Sequence, residues 1–397
     1  MLLAMVVAGG LACAKTKLTI SSWVEVEKLK EAVEAFEKIN PNVAVTIRKG
    51  TAGSYDQELL TWAAGGVFPD ALLMYDDGFA TFAHAGLLLD LTRLVTPAEK
   101  ATFHQAAMET CAYKGRLYGL PYEWVVPMVF YNKRILAQTG IPVPADDWSW
   151  DEFLAICRKT TLKGADGKTT QIGYSSPWGT FDDHLIPTWI LANGGRFFND
   201  AGDTCLVASD KAVKAIEWWR DLVNVYQVAS RSALFEDNKA ALQLMMRWGL
   251  AWLTLPKAKM RDNFGLVPVP FPTVGATDSR IKLATKFWCV SPASRNKKEA
   301  LNLIRFLSSA KGSSIFAAGG VEGIPGTIGV TTRWSEFDKQ FISQEPRGIQ
   351  MMPGVTQFRK SMDILGAAVS LAVSNTRDAR ATMVDAAARI NVILRRK

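Results

Sequence analysis

The chain has 397 residues, 48% of them apolar and 21% charged, a globular balance that excludes intrinsic disorder. Its length exceeds the roughly 250 to 300 residues at which one hydrophobic core stops growing, so two lobes are expected. The formal net charge is +8, but no run of five or more like charges occurs, so the excess describes a mildly basic surface and excludes a nucleic-acid footprint.

The chain opens with an apolar stretch over residues 2–12, then small residues and Lys15, the pattern of the back half of a secretory signal. No Lys or Arg precedes Lys15, so the true start is expected upstream of Met1. Two processing routes fit residues 1–14. Ala12-Cys13-Ala14 suits cleavage after Ala14, and Leu11-Ala12-Cys13 resembles an imperfect lipoprotein box that would place lipid on Cys13. No segment supplies the about 20 apolar residues a membrane-spanning helix needs. Cys111, Cys157, Cys205 and Cys289 are scattered without a CxxC spacing, which supports neither zinc nor redox chemistry, and no cofactor is expected.

Residues 18–23 form a β-prone run, and residues 25–40 space Leu29, Val33, Phe36 and Ile39 at helical intervals until Pro41 stops them. A second strand follows over 43–50, so the chain begins β-α-β, the opening of a parallel sheet. Residues 54–66 predict a helix capped by Ser54 and ended at Gly65-Gly66, and residues 69–78 a buried strand whose C-terminal end carries Asp76 and Asp77. In open α/β sheets, ligands sit at that end. Further on, helices are predicted at 148–161, 210–226 and 296–312, with a strand entered by a turn at 163–176. The glycines and proline of 319–330 break every periodicity, and the remainder is mostly helical in composition.

Five segments in this order, including FPDALLMYDDGFATFAHAGLLLDLTRLV (68–95), KGRLYGLPYEWVVPMVFYNKRILAQTGI (114–141) and LANGGRFFNDAGDT (191–204), resemble the extracellular solute-binding proteins of ABC importers. The others are KAALQLMMRWGLAW (239–252) and SPASRNKKEALNLIRFLSS (291–309). The resemblance is to the class that includes maltose- and glycerol-phosphate-binding proteins, and runs from about Lys17 to Gly329 with a looser tail. It implies the α/β periplasmic-binding-protein type II fold, with two lobes joined by crossing segments and closed by hinge bending. Lobe one would hold 17–126 and 272–322, and lobe two 127–271 and 323–397. The crossings would lie at LPYEWVVP, near VPVPFP (267–272), and at VEGIPG (321–326). It also implies a monomeric carrier of a carbohydrate or polyol, partnered by an ABC permease, exported to the periplasm or lipid-anchored outside the cell membrane.

A sugar ring has apolar C–H faces and an equator of hydroxyls, so its site needs aromatic plates and in-plane acceptors and donors. Loop ends predicted for the first lobe bring Trp23, Glu25, Ser54, Tyr55, Asp76 and Asp77, and the first crossing brings Tyr122, Glu123 and Trp124. Trp178, Asp182, His184, Arg247 and Trp248 would come from the other lobe, with Glu322 at the third crossing. Trp288 stands between core and cleft, whereas Trp218, Trp219 and Trp252 fall inside amphipathic helices and are expected in the core. By resemblance Asp77 falls where a sugar-binding acid sits, Trp248 where a stacking Trp sits, and Trp178 where the glycerol-phosphate branch also has Trp. The aromatic expected before the acidic turn is Met74 here, and Phe358 and Arg359 are the nearest substitutes for the C-terminal one. The rival reading is a secreted glycoside hydrolase using Asp77 and Glu123 as its carboxylate pair. No GxSxG, HExxH, P-loop or Rossmann fingerprint occurs in proper context to support an enzyme.

Overall fold

The protein is described by a computed structural model over residues 14–395, apart from 25, 177–185, 231, 233, 320–321 and 352–353. Strand β1 (Thr16–Ser22), helix α1 (Val26–Ile39), strand β2 (Val43–Lys49), helix α2 (Tyr55–Ala64) and strand β3 (Ala71–Tyr75) open the chain. The expected β-α-β start is present, with β1 parallel to both β2 and β3. On α1 the helical spacing buries Leu29, Val33 and Phe36 against the sheet, while Ile39 at its end stays exposed. Ser54 occupies the N-cap position of α2, but its hydroxyl donates to Glu58 Oε1 at 3.0 Å and makes no backbone cap.

Strand β4 (Gly119–Val125) runs into β5 (Pro127–Asn132) with Val126 between them. One strand belongs to the first sheet and the other to a second sheet, so the chain passes from one sheet to the other at Val126. Helix α3 (Trp150–Thr160) starts on a capping box between Ser149 and Glu152. It is followed by β6 (Thr169–Ser175), α4 (Asp210–Asn224), β7 (Ala229–Ser230), β8 (Ala240–Met246) and β9 (Phe264–Val267). The second sheet has the order β7-β6-β8-β5-β9.

The proline-rich segment expected to be the second crossing stays on the second lobe. Prolines cannot donate to a ladder, and here the segment offers carbonyls instead. Pro268 O accepts from Trp148 Nε1 at 2.7 Å, and Pro270 O from Trp150 Nε1 at 3.0 Å. Arg280 N then donates to Leu191 O, still within the second lobe. After the short strand β10 (Ile281–Lys282), the chain returns to the first sheet at Leu283 and enters β11 (Ala284–Val290). Sheet membership therefore moves the expected boundary at 272 to 283.

Helix α5 (Lys297–Leu307) covers β11 and β3, and β12 (Ile324–Pro325) pairs with β4. The first sheet is then β12-β4-β11-β3-β1-β2. The third passage also comes a few residues later than expected. Ile328 N still donates to Thr102 O of the first lobe, and Gly329 turns with φ 83°, a region closed to most side chains. Helix α6 (Ser335–Ile342) then packs on the second lobe through Phe341 and Phe130. Strand β13 (Gly348–Ile349) pairs with β10, and α7 (Phe358–Val373) and α8 (Ala379–Leu394) pack on each other and on α4.

Each sheet carries its own core. Leu18, Ile20, Phe36, Leu72 and Trp288 belong to the first, and Phe130, Trp189, Trp219 and Leu244 to the second. The expectation of two cores follows from length, and the two clusters meet it. Among the described residues no helix is long and apolar enough to cross a membrane. Cys111, Cys157, Cys205 and Cys289 are buried free thiols.

Candidate functional site

A cleft of about 690 Å³ opens between the sheets, where β3, β4 and β11 end on one side and the turn after β8 faces them. Strand alternation decides which residues of Leu-Met-Tyr-Asp-Asp reach it. Met74 is 1% exposed and packs downward, whereas Tyr75 lines the cleft. The aromatic expected at Met74 is therefore supplied one residue later.

Asp76 prolongs the β3–β11 ladder: its backbone N donates to Thr285 O at 3.0 Å, and its Oδ1 accepts from Thr285 N at 3.1 Å. Its backbone oxygen takes Gln350 Nε2 at 2.7 Å, and Oδ2 has no partner among the described residues. Burial, and then the neighbouring charge of Asp77, hold the Asp76 carboxyl well above the usual carboxylate range, with Lys282 pulling the other way. Asp77 is 2% exposed; its Oδ2 accepts from Lys282 Nζ at 2.6 Å, and its Oδ1 is unpartnered. Thr285 Oγ1 and Trp124 Nε1, both buried, also lack partners among the described residues. Asp76, Asp77, Thr285 and Trp124 thus all line the cleft, and each carries a buried polar atom with hydrogen-bonding capacity unused among the described residues. Leaving such atoms unpaired costs about 1 to 3 kcal/mol each.

Beside this floor stands a second polar cluster. Lys286 faces Glu123 across the β11–β4 ladder, and its Nζ lies 2.6 Å from Glu123 Oε1 and 2.8 Å from Glu322 Oε2. Burial disfavours the charge on Lys286, but Glu123 and Glu322 outweigh it and hold the ammonium above its ordinary range. Glu123 Oε2 accepts from Gly323 N at 2.8 Å. A side chain at Gly323 would lie 2.8 Å from Trp124 O and 3.0 Å from Glu123 Cβ, so glycine alone permits that bond.

The walls are aromatic. Trp23 packs on Tyr55 with centroids 4.7 Å apart and meets Tyr75 edge-on at 5.9 Å. Opposite them Trp248 and Trp252 lie 5.0 Å apart at 32°. At the rim, Arg359 grips Asp56 with two guanidinium nitrogens, at 2.9 and 3.0 Å, and reaches Tyr75 Oη at 3.4 Å.

Of the sequence candidates, Trp23, Tyr55, Asp76, Asp77, Glu123, Trp124, Trp248, Glu322 and Arg359 line this one cleft. Four others lie elsewhere. Tyr122 and Trp288 are in the first core, 5.6 Å apart and both against Phe316. Arg247 is buried, with Asp338 held at 2.5 and 3.2 Å and Thr332 at 2.8 Å, so its charge serves the anchoring of α6. Ser54 is engaged with Glu58 at the start of α2. Glu25, Trp178, Asp182 and His184 fall outside the described residues, as does Cys13.

Sequence reasoning missed Asp56, Tyr75, Lys286 and Trp252 as lining residues. For Trp252 a signal existed. It follows Trp248 by four residues on a helical turn, so both indoles share a face. Lys286 had none, since its pairing with Glu123 spans 163 positions. Among the described residues no group of three His, Cys, Asp or Glu is placed to hold a metal.

Known proteins resemble the chain along most of its length. A model for bacterial extracellular solute-binding proteins matches residues 21–313. A galactooligosaccharide-binding protein of Bacillus subtilis is 25% identical over 311 residues, covering 73% of this chain and 69% of its own. An uncharacterised lipoprotein of Streptomyces antibioticus is 31% identical over a shorter stretch of 140 residues, which is 35% of this chain and 31% of that protein. In three dimensions, an ABC substrate-binding protein from Listeria monocytogenes in complex with cycloalternan superposes with a TM-score of 0.79 at 21% identity, covering 96% of this chain and 99% of the other. That likeness establishes the two-lobed periplasmic-binding-protein fold.

Proposed function

The chain belongs to the bacterial extracellular solute-binding proteins, and on that premise we propose that it captures a sugar or sugar-like polyol, unaltered, in the cleft and passes it to an ABC permease. The observation that carries the choice of ligand is the floor of Asp76 Oδ2, Asp77 Oδ1, Thr285 Oγ1 and Trp124 Nε1, unpartnered and buried beneath indole walls. Hydroxyls satisfy such a mixture of acceptors and donors, and the C–H faces of a sugar ring suit Trp248 and Trp252. The similar proteins include one named for galactooligosaccharide binding and one in complex with cycloalternan, which favours a carbohydrate here too.

Capture would proceed by hinge bending at the three passages near Val126, Leu283 and Gly329. The leader would send the chain out of the cytoplasm, and either processing route leaves the two lobes intact. The family is one of binding proteins, and the local chemistry agrees with it over the hydrolase reading. Asp77 is tied to Lys282, and both oxygens of Glu123 are engaged, by Lys286 and by Gly323 N, so neither acid is poised to protonate a leaving group. Calorimetry against a panel of mono- and oligosaccharides, followed by chromatography of the recovered ligand, tests the proposal. Saturable binding with the sugar returned intact is expected, and a cleaved sugar would overturn it.

A further inference from the structure

The cleft contains basic side chains, and an anionic guest such as a sugar phosphate would need them. Phosphate and carboxylate recognition relies on guanidinium or ammonium groups with donors to spare, typically an Arg fork meeting two oxygens at once. Here the fork of Arg359 already holds both oxygens of Asp56. The ammonium of Lys286 is shared by Glu123 and Glu322, and that of Lys282 is buried on Asp77. Arg247, which the sequence offered as a further cation, is locked to Asp338 away from the lining.

The carboxylates are in excess. Setting aside Asp76, whose burial favours the neutral form, Asp56, Asp77, Glu123 and Glu322 line the cleft, while its bases are Lys286 and Arg359, with Lys282 behind Asp77. Two of the four unpartnered polar atoms are carboxyl oxygens, and the N–H donor among them, Trp124 Nε1, is neutral. An anion entering this cleft would have to share bases already committed to carboxylates and lie against those oxygens. A hydroxyl meets no such conflict, since it donates to a carboxyl oxygen and accepts from the indole.

We propose that the cleft discriminates by charge, taking uncharged carbohydrates and rejecting their phosphorylated or carboxylated counterparts. The inference rests on the carbohydrate reading above and narrows it. It sets aside sugar phosphates and glycerol phosphate as ligands.

The test is a set of matched pairs titrated into the full chain, read by calorimetry and tryptophan fluorescence: maltose and maltose 1-phosphate, glucose and glucose 6-phosphate, galactose and galacturonate, glycerol and glycerol 3-phosphate. Wherever the neutral member binds, its ionised partner is expected to bind at least about 100-fold more weakly, as like-charge juxtaposition in a buried site requires. Asp56→Asn, which releases the Arg359 fork, and Glu322→Gln, which loosens the hold on Lys286 at a half-exposed position, should each raise affinity for the phosphorylated members by about 10-fold. The quantity read is the ratio of affinities within each pair, which either substitution should shift toward the ionised member. Phosphorylated or carboxylated members bound as tightly as their neutral parents would overturn charge discrimination while leaving the carbohydrate reading standing. Failure of every carbohydrate, neutral and ionised, would remove that reading and this inference with it.

Discussion

Two buried ion pairs, Arg247–Asp338 and Lys282–Asp77, look alike by burial and differ in what is left over. Both carboxylate oxygens of Asp338 are occupied, by the Arg247 guanidinium and by Thr332 Oγ1 at 2.5 Å, and the pair fastens α6 to the end of β8. In the other pair Asp77 Oδ1 has no partner among the described residues, and the adjoining Asp76 Oδ2 has none either. A buried charge with every position filled is architecture, and one left short at the wall of a cavity is equipped to meet a guest.

The comparison would break first at Asp338. Truncating one member of a buried pair strands the other charge, at a cost of about 3 to 5 kcal/mol. Asp338→Ala should therefore lower the urea midpoint sharply, while the fraction that remains folded binds carbohydrate as before. A loss of binding at unchanged stability would place Arg247 in the site after all.

Trp248 sharpens the same contrast from the cleft side. It is partly buried and packed at a tilt against Trp252, and both line the cavity. On the proposed reading it contacts the ligand, and replacing such a residue removes about 1 to 3 kcal/mol of binding. Trp248→Ala should show that loss in calorimetry with little movement of the midpoint. If affinity is untouched in a folded variant, the indole belongs to the packing alone.

What the sequence disclosed follows the range of the interaction concerned. The β-α-β opening, the Val126 crossing and the acidic end of β3 depend on neighbours within a few positions, and all three were legible. Periodicity also decided that Trp219 is core, where it is 1% exposed. The roles of Arg247 and Lys286 depend on partners 91 and 163 positions away, and nothing local announces them. The proline-rich segment misled for a related reason. Its stiffness was visible, but the indoles of Trp148 and Trp150 that hold it to the second lobe lie 120 positions upstream. Tyr122 and Trp124 show the limit of alternation: neighbours by two in one strand, the first goes to the core and the second to the cleft, because the β4–β11 register shifts at Tyr122 and the irregularity resets the pleat.

The smallest effect, read per pH unit, belongs to Asp76. Burial and the charge of Asp77 raise its folded pKa above the ordinary 3.8, so the folded chain keeps this proton to a higher pH than the unfolded chain does. Between those two values the unfolded state has already lost the proton, and raising the pH favours unfolding. The contribution to stability is complete below about pH 4 and declines as pH climbs toward the folded value, by at most about 1.4 kcal/mol per unit for one proton. Asn cannot titrate, so the stability of wild type relative to Asp76→Asn should fall steadily in urea melts from pH 4 upward. A difference that stays flat up to pH 8 would mean that the folded chain holds this proton no longer than the unfolded chain does.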